Sequence, residues 1–118
     1  MRYRQLVERL DKSFMADWRK IRSQFKVNVS FRSPLKEFGD GVELALITSD
    51  NRGQGHATRA MQAILDLADK HNTIITLNPS ASGGGNEGRL TQDQLETWYK
   101  RLGFVDSDVE YYMIRYPK

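Results

Sequence analysis

Cysteine is absent from this chain. That excludes a disulfide framework, a thiolate zinc site and a cysteine nucleophile. No uninterrupted apolar run approaches the ~18–20 residues that cross a bilayer, so no membrane partner is expected. The first residues are charged and lack the apolar stretch of a signal peptide, which points to a cytoplasmic protein. No internal repeat is present, and only residues 79–89 are of low complexity, with four glycines in eleven positions. The rest is ordinary: 39% hydrophobic and 28% charged residues, the balance of a folded chain rather than a disordered one. A chain of 118 residues suffices for one core and not for two, so residues 1–118 read as a single domain.

The charge is uneven. Residues 1–26 hold eight Lys/Arg against three Asp/Glu, and residues 27–118 hold ten against twelve, which together give the net +3. Two readings of the basic segment stand: the solvated face of a helix, and a contact surface for nucleic acid or an acidic partner. Acids interrupt the bases, which favours the first.

Along the chain, Leu6, Leu10, Phe14, Trp18, Ile21 and Phe25 recur at intervals of three or four, so residues 1–25 read as an N-terminal helical segment. Asp11 and Ser13 are the places where it could divide into two helices. Residues 26–32 alternate apolar and polar, a half-buried strand ended by Ser33-Pro34. Residues 42–48 are continuously apolar except for Glu43, a strand expected to be covered on both faces and to pair antiparallel with the first. A glycine turn, Arg52-Gly53-Gln54-Gly55-His56-Ala57, leads into a helix over residues 58–70, closed by His71-Asn72. Residues 73–77 form a β-branched strand, parallel to the one before if the crossover is right-handed. Residues 42–77 thus read strand, glycine turn, helix, strand. The loop at residues 79–90 is exposed, either a binding loop or a plain connection. Thr91-Gln92-Asp93-Gln94 is a capping-box start for a helix to Leu102. Gly103 ends it, Phe104-Val105 re-enter a strand, and residues 110–116 alternate as a last strand.

A helix that starts on a glycine turn after a strand offers consecutive backbone N–H groups to a phosphate or pyrophosphate. Two familiar nucleotide sites fail here. A dinucleotide fold wants a third glycine where Thr58 stands, and a P-loop wants a Gly-Lys-Ser/Thr that is missing.

Arg52, Gly55 and Ala57 match the pattern Arg/Gln-x-x-Gly-x-Gly/Ala, with the apolar Ile47 five residues ahead, and Tyr99 to Phe104 match Tyr-x-x-x-Gly-Phe at a later helix end. In both motifs and their order the chain resembles the GCN5-related N-acetyltransferase (GNAT) superfamily, over residues 42–118 and more loosely 26–32. Leu90-Thr91-Gln92-Asp93-Gln94-Leu95, Trp98-Tyr99 and Met113-Ile114-Arg115-Tyr116-Pro117 make it similar to the very short branch often carried by phages and mobile elements. The resemblance implies an α/β (α+β) fold, a compact mixed central sheet with flanking helices. Two departures stand out. The family's usual asparagine is replaced by Gln92, with Asn78 displaced by the glycine-rich loop, and the N-terminal strand before the first helix is missing.

What the resemblance implies for chemistry is direct transfer of the acetyl group of acetyl-CoA to an amine, with no metal. Ile47, Thr48, Arg52, Gly53, Gln54, Gly55, His56, Ala57, Thr58 and Asn78 are the expected acetyl-CoA residues. The pyrophosphate would lie on the N–H groups from Gln54 to Thr58, with Arg52 beside it. Tyr99 is the candidate general acid for the departing thiolate and Glu43 the candidate base; each also has a purely structural reading, Tyr99 in the core and Glu43 exposed or in a salt bridge. His56 is read as a donor or surface residue rather than a catalyst. The acceptor side is abbreviated, which leaves a protein lysine or N-terminus, or a small amine, as acceptor. The alternative is a degenerate interaction module that binds a protein or nucleic acid. Monomer and homodimer are both compatible with the sequence.

Overall fold

The fold is built on a five-stranded mixed sheet, seen in a computed structural model that describes residues 10–49, 55–79 and 91–118. Calls on residues 1–9, on Arg52, Gly53 and Gln54, and on residues 80–90 lie outside the described residues. The elements are α1 (Lys12–Ile21), β1 (Val27–Arg32), β2 (Val42–Ser49), α2 (His56–His71), β3 (Ile75–Leu77), α3 (Gln92–Arg101), β4 (Val105–Asp106) and β5 (Met113–Arg115), with the strands ordered β1-β2-β3-β5-β4.

The long N-terminal helix expected from periodicity does not pass through Asp11. This residue takes an extended conformation as the N-cap of α1, its carboxylate accepting from the Phe14 N–H at 3.1 Å. The same carboxylate accepts from the Thr73 hydroxyl at 2.5 Å, and Leu10 forms a bridge with Gly41. A carboxylate tied to a distant strand entry cannot stay in a helix interior, so the chain divides there. At the other end the helix tightens into a short turn at Arg22–Gln24, and Phe25 is extended.

β1 and β2 pair antiparallel, from Val27 opposite Ser49 to Arg32 opposite Glu43, with Ala45 extra between the Ser30–Leu46 and Phe31–Leu44 partners. This bulge lets Val42, Leu44 and Ile47 all reach the core, although strict alternation would send Ile47 to the other face. β2 and β3 are parallel across α2, as the crossover argument expects, but only Val42–Ile75 and Glu43–Thr76 pair. Gly41 makes that approach possible: a Cβ there would lie 2.3 Å from the Ile74 carbonyl oxygen, which accepts from the Val42 N–H.

Two strands are shorter than the sequence suggests. β3 begins at Ile75 because Thr73 is held back, its N–H on the Ala68 carbonyl at 2.7 Å and its hydroxyl on Asp11. β5 begins at Met113 because Tyr111 adopts φ 71 and Ser107 closes the turn onto the Tyr112 carbonyl. The expected two-sided alternation of the last strand also fails. Met113, Ile114 and Arg115 are all buried, since cover on both faces removes the polar side.

One core joins Phe14 and Trp18 of α1, Met61, Ile64, Leu65 and Ala68 of α2, and Leu95 and Tyr99 of α3 to Val42, Leu44, Ile75, Leu77 and Met113 of the sheet. Both predicted caps hold: Asn72 is left-handed at φ 57, and Thr91 and Gln94 exchange the two bonds of a capping box. The described residues thus form a mixed α+β domain of five strands and three helices, none of them long and apolar enough to cross a membrane.

Candidate functional site

Three features meet at the ends of the parallel strands. The first is the start of α2. Its N-cap is Gly55 at φ 76, with no side-chain cap and no acidic residue in the first turn. The helix dipole makes this end positive. Arg59 reaches back to His56, Nη2 to Nδ1 at 2.8 Å. A guanidinium only donates, so Nδ1 is the acceptor and the imidazole proton sits on Nε2. The chemistry of this end suits an anion.

The second feature is a fork. After Glu43–Thr76 no further β2–β3 pair forms, while β2 runs on to Ser49. The bulge at Ala45 lies one residue past the last β2–β3 pair's neighbour, and such bulges add twist. Ile47 is buried and Thr48 half-buried beyond the fork, and Asn78 follows the end of β3.

The third is a polar row on the sheet face away from the core, with Arg32, Glu43 and Thr76 contributed by successive strands. Glu43 is only 2% exposed, and Arg32 meets its Oε2 twice, from Nε at 3.0 Å and from Nη2 at 2.6 Å. The hydrogen bond to Glu43 raises the Arg32 pKa above its ordinary value, and Tyr112 adds to the effect. The Thr76 hydroxyl is buried without a partner among the described residues. Two residues on, just past the strand end, Asn78 lines a cavity of about 300 Å³ shared with Gln92, Glu96, Asp106, Glu110 and Tyr112. Among the described residues its charged lining is acidic.

Tyr99 is fully buried, its ring edge-on to Phe104 at 5.6 Å and tilted against Trp98 at 4.9 Å. Its carbonyl accepts from both Leu102 and Phe104, and Gly103 at φ 100 lets the chain turn back. The Tyr-x-x-x-Gly-Phe spacing therefore has a structural purpose: it folds the phenylalanine onto the tyrosine.

Of the site residues named from sequence, Gly55, His56, Ala57 and Thr58 gather at the start of α2, and Glu43 and Asn78 lie near one another across the β2–β3 boundary. Tyr99 belongs to the core beneath. Arg32, Thr76 and the acids of the cavity were not singled out beforehand. The alternation of β1 places Arg32 on the polar face, but its pairing with Glu43 depends on register. Among the described residues no cluster of three or more His, Asp or Glu could hold a metal. No protein-family model, curated protein or solved structure matches this chain.

Proposed function

We propose that this chain is an acetyltransferase of the GNAT kind, moving the acetyl group of acetyl-CoA directly to an amine. One observation carries the reading: the parallel pair β2–β3 opens after two residues, on the strand that leads to an anion-suited helix start. A phosphate-bearing ligand with an extended amide-containing arm fits such a fork. Its pyrophosphate takes the N–H groups around Gly55 to Thr58. Its arm runs along the part of β2 that β3 leaves, past Thr48 and Ile47, using backbone hydrogen bonds as an added strand does. The thioester then lies toward Glu43 and Asn78.

The amine nitrogen attacks the thioester carbon, the C–S bond breaks, and the thiolate takes a proton, assigned here to Tyr99. The acidic cavity favours a cationic acceptor, a protein lysine or N-terminus or a small amine. Calorimetry with acetyl-CoA is the test: heat and a thermal shift are expected, and neither at millimolar ligand overturns the reading. Tyr99→Phe should lower kcat by at least about tenfold with little change in acetyl-CoA affinity, and unchanged kcat removes Tyr99 from the mechanism.

A second reading has its own support. Tyr99 is buried and Glu43 is engaged by Arg32, as in a fold that binds without catalysing. Binding of acetyl-CoA without turnover on any amine would select this interaction module.

A further inference from the structure

Tyr112 stands where the acidic cavity meets the sheet. Leu77 pairs with Met113 in the antiparallel β3–β5 ladder, so Tyr112 falls beside Asn78 at the ladder's end, and both border the cavity. The turn before β5 fixes its backbone. Its N–H donates to the Val109 carbonyl at 3.1 Å, and its carbonyl accepts from the Ser107 N–H at 3.1 Å and the Ser107 hydroxyl at 2.8 Å. Its ring packs on Phe38, with centroids 5.8 Å apart. Its hydroxyl takes a hydrogen bond from the Arg32 guanidinium, the same group that holds Glu43. The residue is only half-buried, yet it is held at its base, along its ring and at its tip.

The face of an aromatic ring carries partial negative charge and attracts a cation, most strongly where water is kept away. Among the described residues the charged groups of the cavity are Glu96, Asp106 and Glu110, so ring and carboxylates favour the same sign of ligand. Arg32 does not oppose it, because its charge is paired with Glu43. Tyr111 borders the cavity too, but it is 76% exposed, and a hydrated ring holds a cation weakly.

We propose that Tyr112 seats the amine of the acceptor, its ring and the cavity carboxylates together holding the ammonium before it reacts. Tyr112 is then a specificity-determining residue that acts in binding and transfers no proton. The proposal deepens the acetyltransferase reading and rests on it for the acceptor role of the bound cation.

The test uses choline, a cation with no N–H to be acetylated, titrated into the full chain without acetyl-CoA and followed by NMR. The control is its neutral isostere, the alcohol with a tert-butyl group in place of trimethylammonium. Choline should shift the resonances of Tyr112, and the isostere should bind at least about threefold more weakly. Tyr112→Leu should weaken choline binding by about three- to thirtyfold, and Tyr112→Phe should keep most of it, since the ring remains. Thermal melting checks the fold of each variant; if Tyr112→Leu does not fold, the comparison of choline with its isostere on the parent decides. No choline binding, equal binding of the isostere, or undiminished binding by folded Tyr112→Leu overturns the proposal. Calorimetry with acetyl-CoA separates the two readings. Acetyl-CoA binding without choline binding removes Tyr112 and leaves the acetyltransferase reading standing. Choline binding without acetyl-CoA binding removes that reading, and the acceptor role with it.

Discussion

The two ends of helix α2 are built on opposite plans. At its C-terminal end, side chains of α1 and β5 pair with those of the helix. Asp69 accepts from the two terminal guanidinium nitrogens of Arg115, at 3.0 and 3.2 Å, and from the Lys118 N–H at 3.0 Å. Lys70 and His71 both reach Asp17 of α1, and Asn72 closes the helix with its N–H on the last carbonyls. Two residues on, Thr73 ties to the Asp11 cap. At the N-terminal end there is a left-handed glycine, no side-chain cap and no acid. One end is closed by the protein's own side chains, and the other has no side-chain cap among the described residues. Stability is concentrated where ion pairs join α1, α2 and the chain's last strand. In the acetyltransferase reading proposed above, binding belongs to the other end.

The largest break in this contrast should come from Asp69→Ala. Arg115 is only 4% exposed, and removal of its partner strands a buried guanidinium. The expected loss is about 3 kcal/mol or more, read from the urea midpoint, with acetyl-CoA affinity of the folded fraction unaltered. Asp11→Ala comes next. It deletes the α1 cap and the tie to Thr73, for a loss of about 1–2 kcal/mol in the same denaturation assay.

Gly55→Ala acts at the other end. A Cβ there would meet only the far tip of Arg59 at 3.2 Å, so the obstacle is φ 76 rather than space. A cost of about 1 kcal/mol in stability is expected, with acetyl-CoA affinity weakened in calorimetry. Equal affinity would mean that the helix start does not hold the phosphates.

The smallest effect concerns pH. The Asp17 carboxyl is lowered from 3.8 to about 2, first by the His71 hydrogen bond and then by Lys70. Asp69 is lowered too, chiefly by Arg115. A carboxyl depressed in the folded state adds stability above its unfolded pKa and loses it as pH falls through the folded one. Acid should therefore weaken the C-terminal end between about pH 4 and 2. Asp17→Asn should flatten that part of the stability curve, measured by thermal melting across the range. An unchanged slope would assign the acid sensitivity to Asp69 or Asp11 instead.

The legible parts of this fold are those whose causes are near in sequence. Asn72 tolerates a left-handed helix end, and Thr91 and Gln94 find each other across one turn, so both caps could be named from the string of residues. The strand, helix and strand within residues 42–77 follow from the spacing of their apolar residues. Of the candidate site, Gly55 to Thr58 are contiguous, and a glycine ahead of a helical stretch marks their helix start locally. Arg32 and Thr76 could not be paired with Glu43 from spacing, because each comes from a different strand.

By itself the sequence determined the kinds of elements, their order and their caps, because backbone preference, side-chain period and short-range hydrogen bonds act within a turn or two. Only the tertiary structure decided the rest. Asp11 became a cap because Thr73, 62 residues away, binds its carboxylate. Ile47 joined the core because a bulge at Ala45 shifted the register against β1. Glu43 met Arg32, and β2 left β3 after two pairs, through strand alignment that no local pattern encodes. Register and long-range pairing are settled by the packing of the whole sheet, and the fork at its centre exists only there.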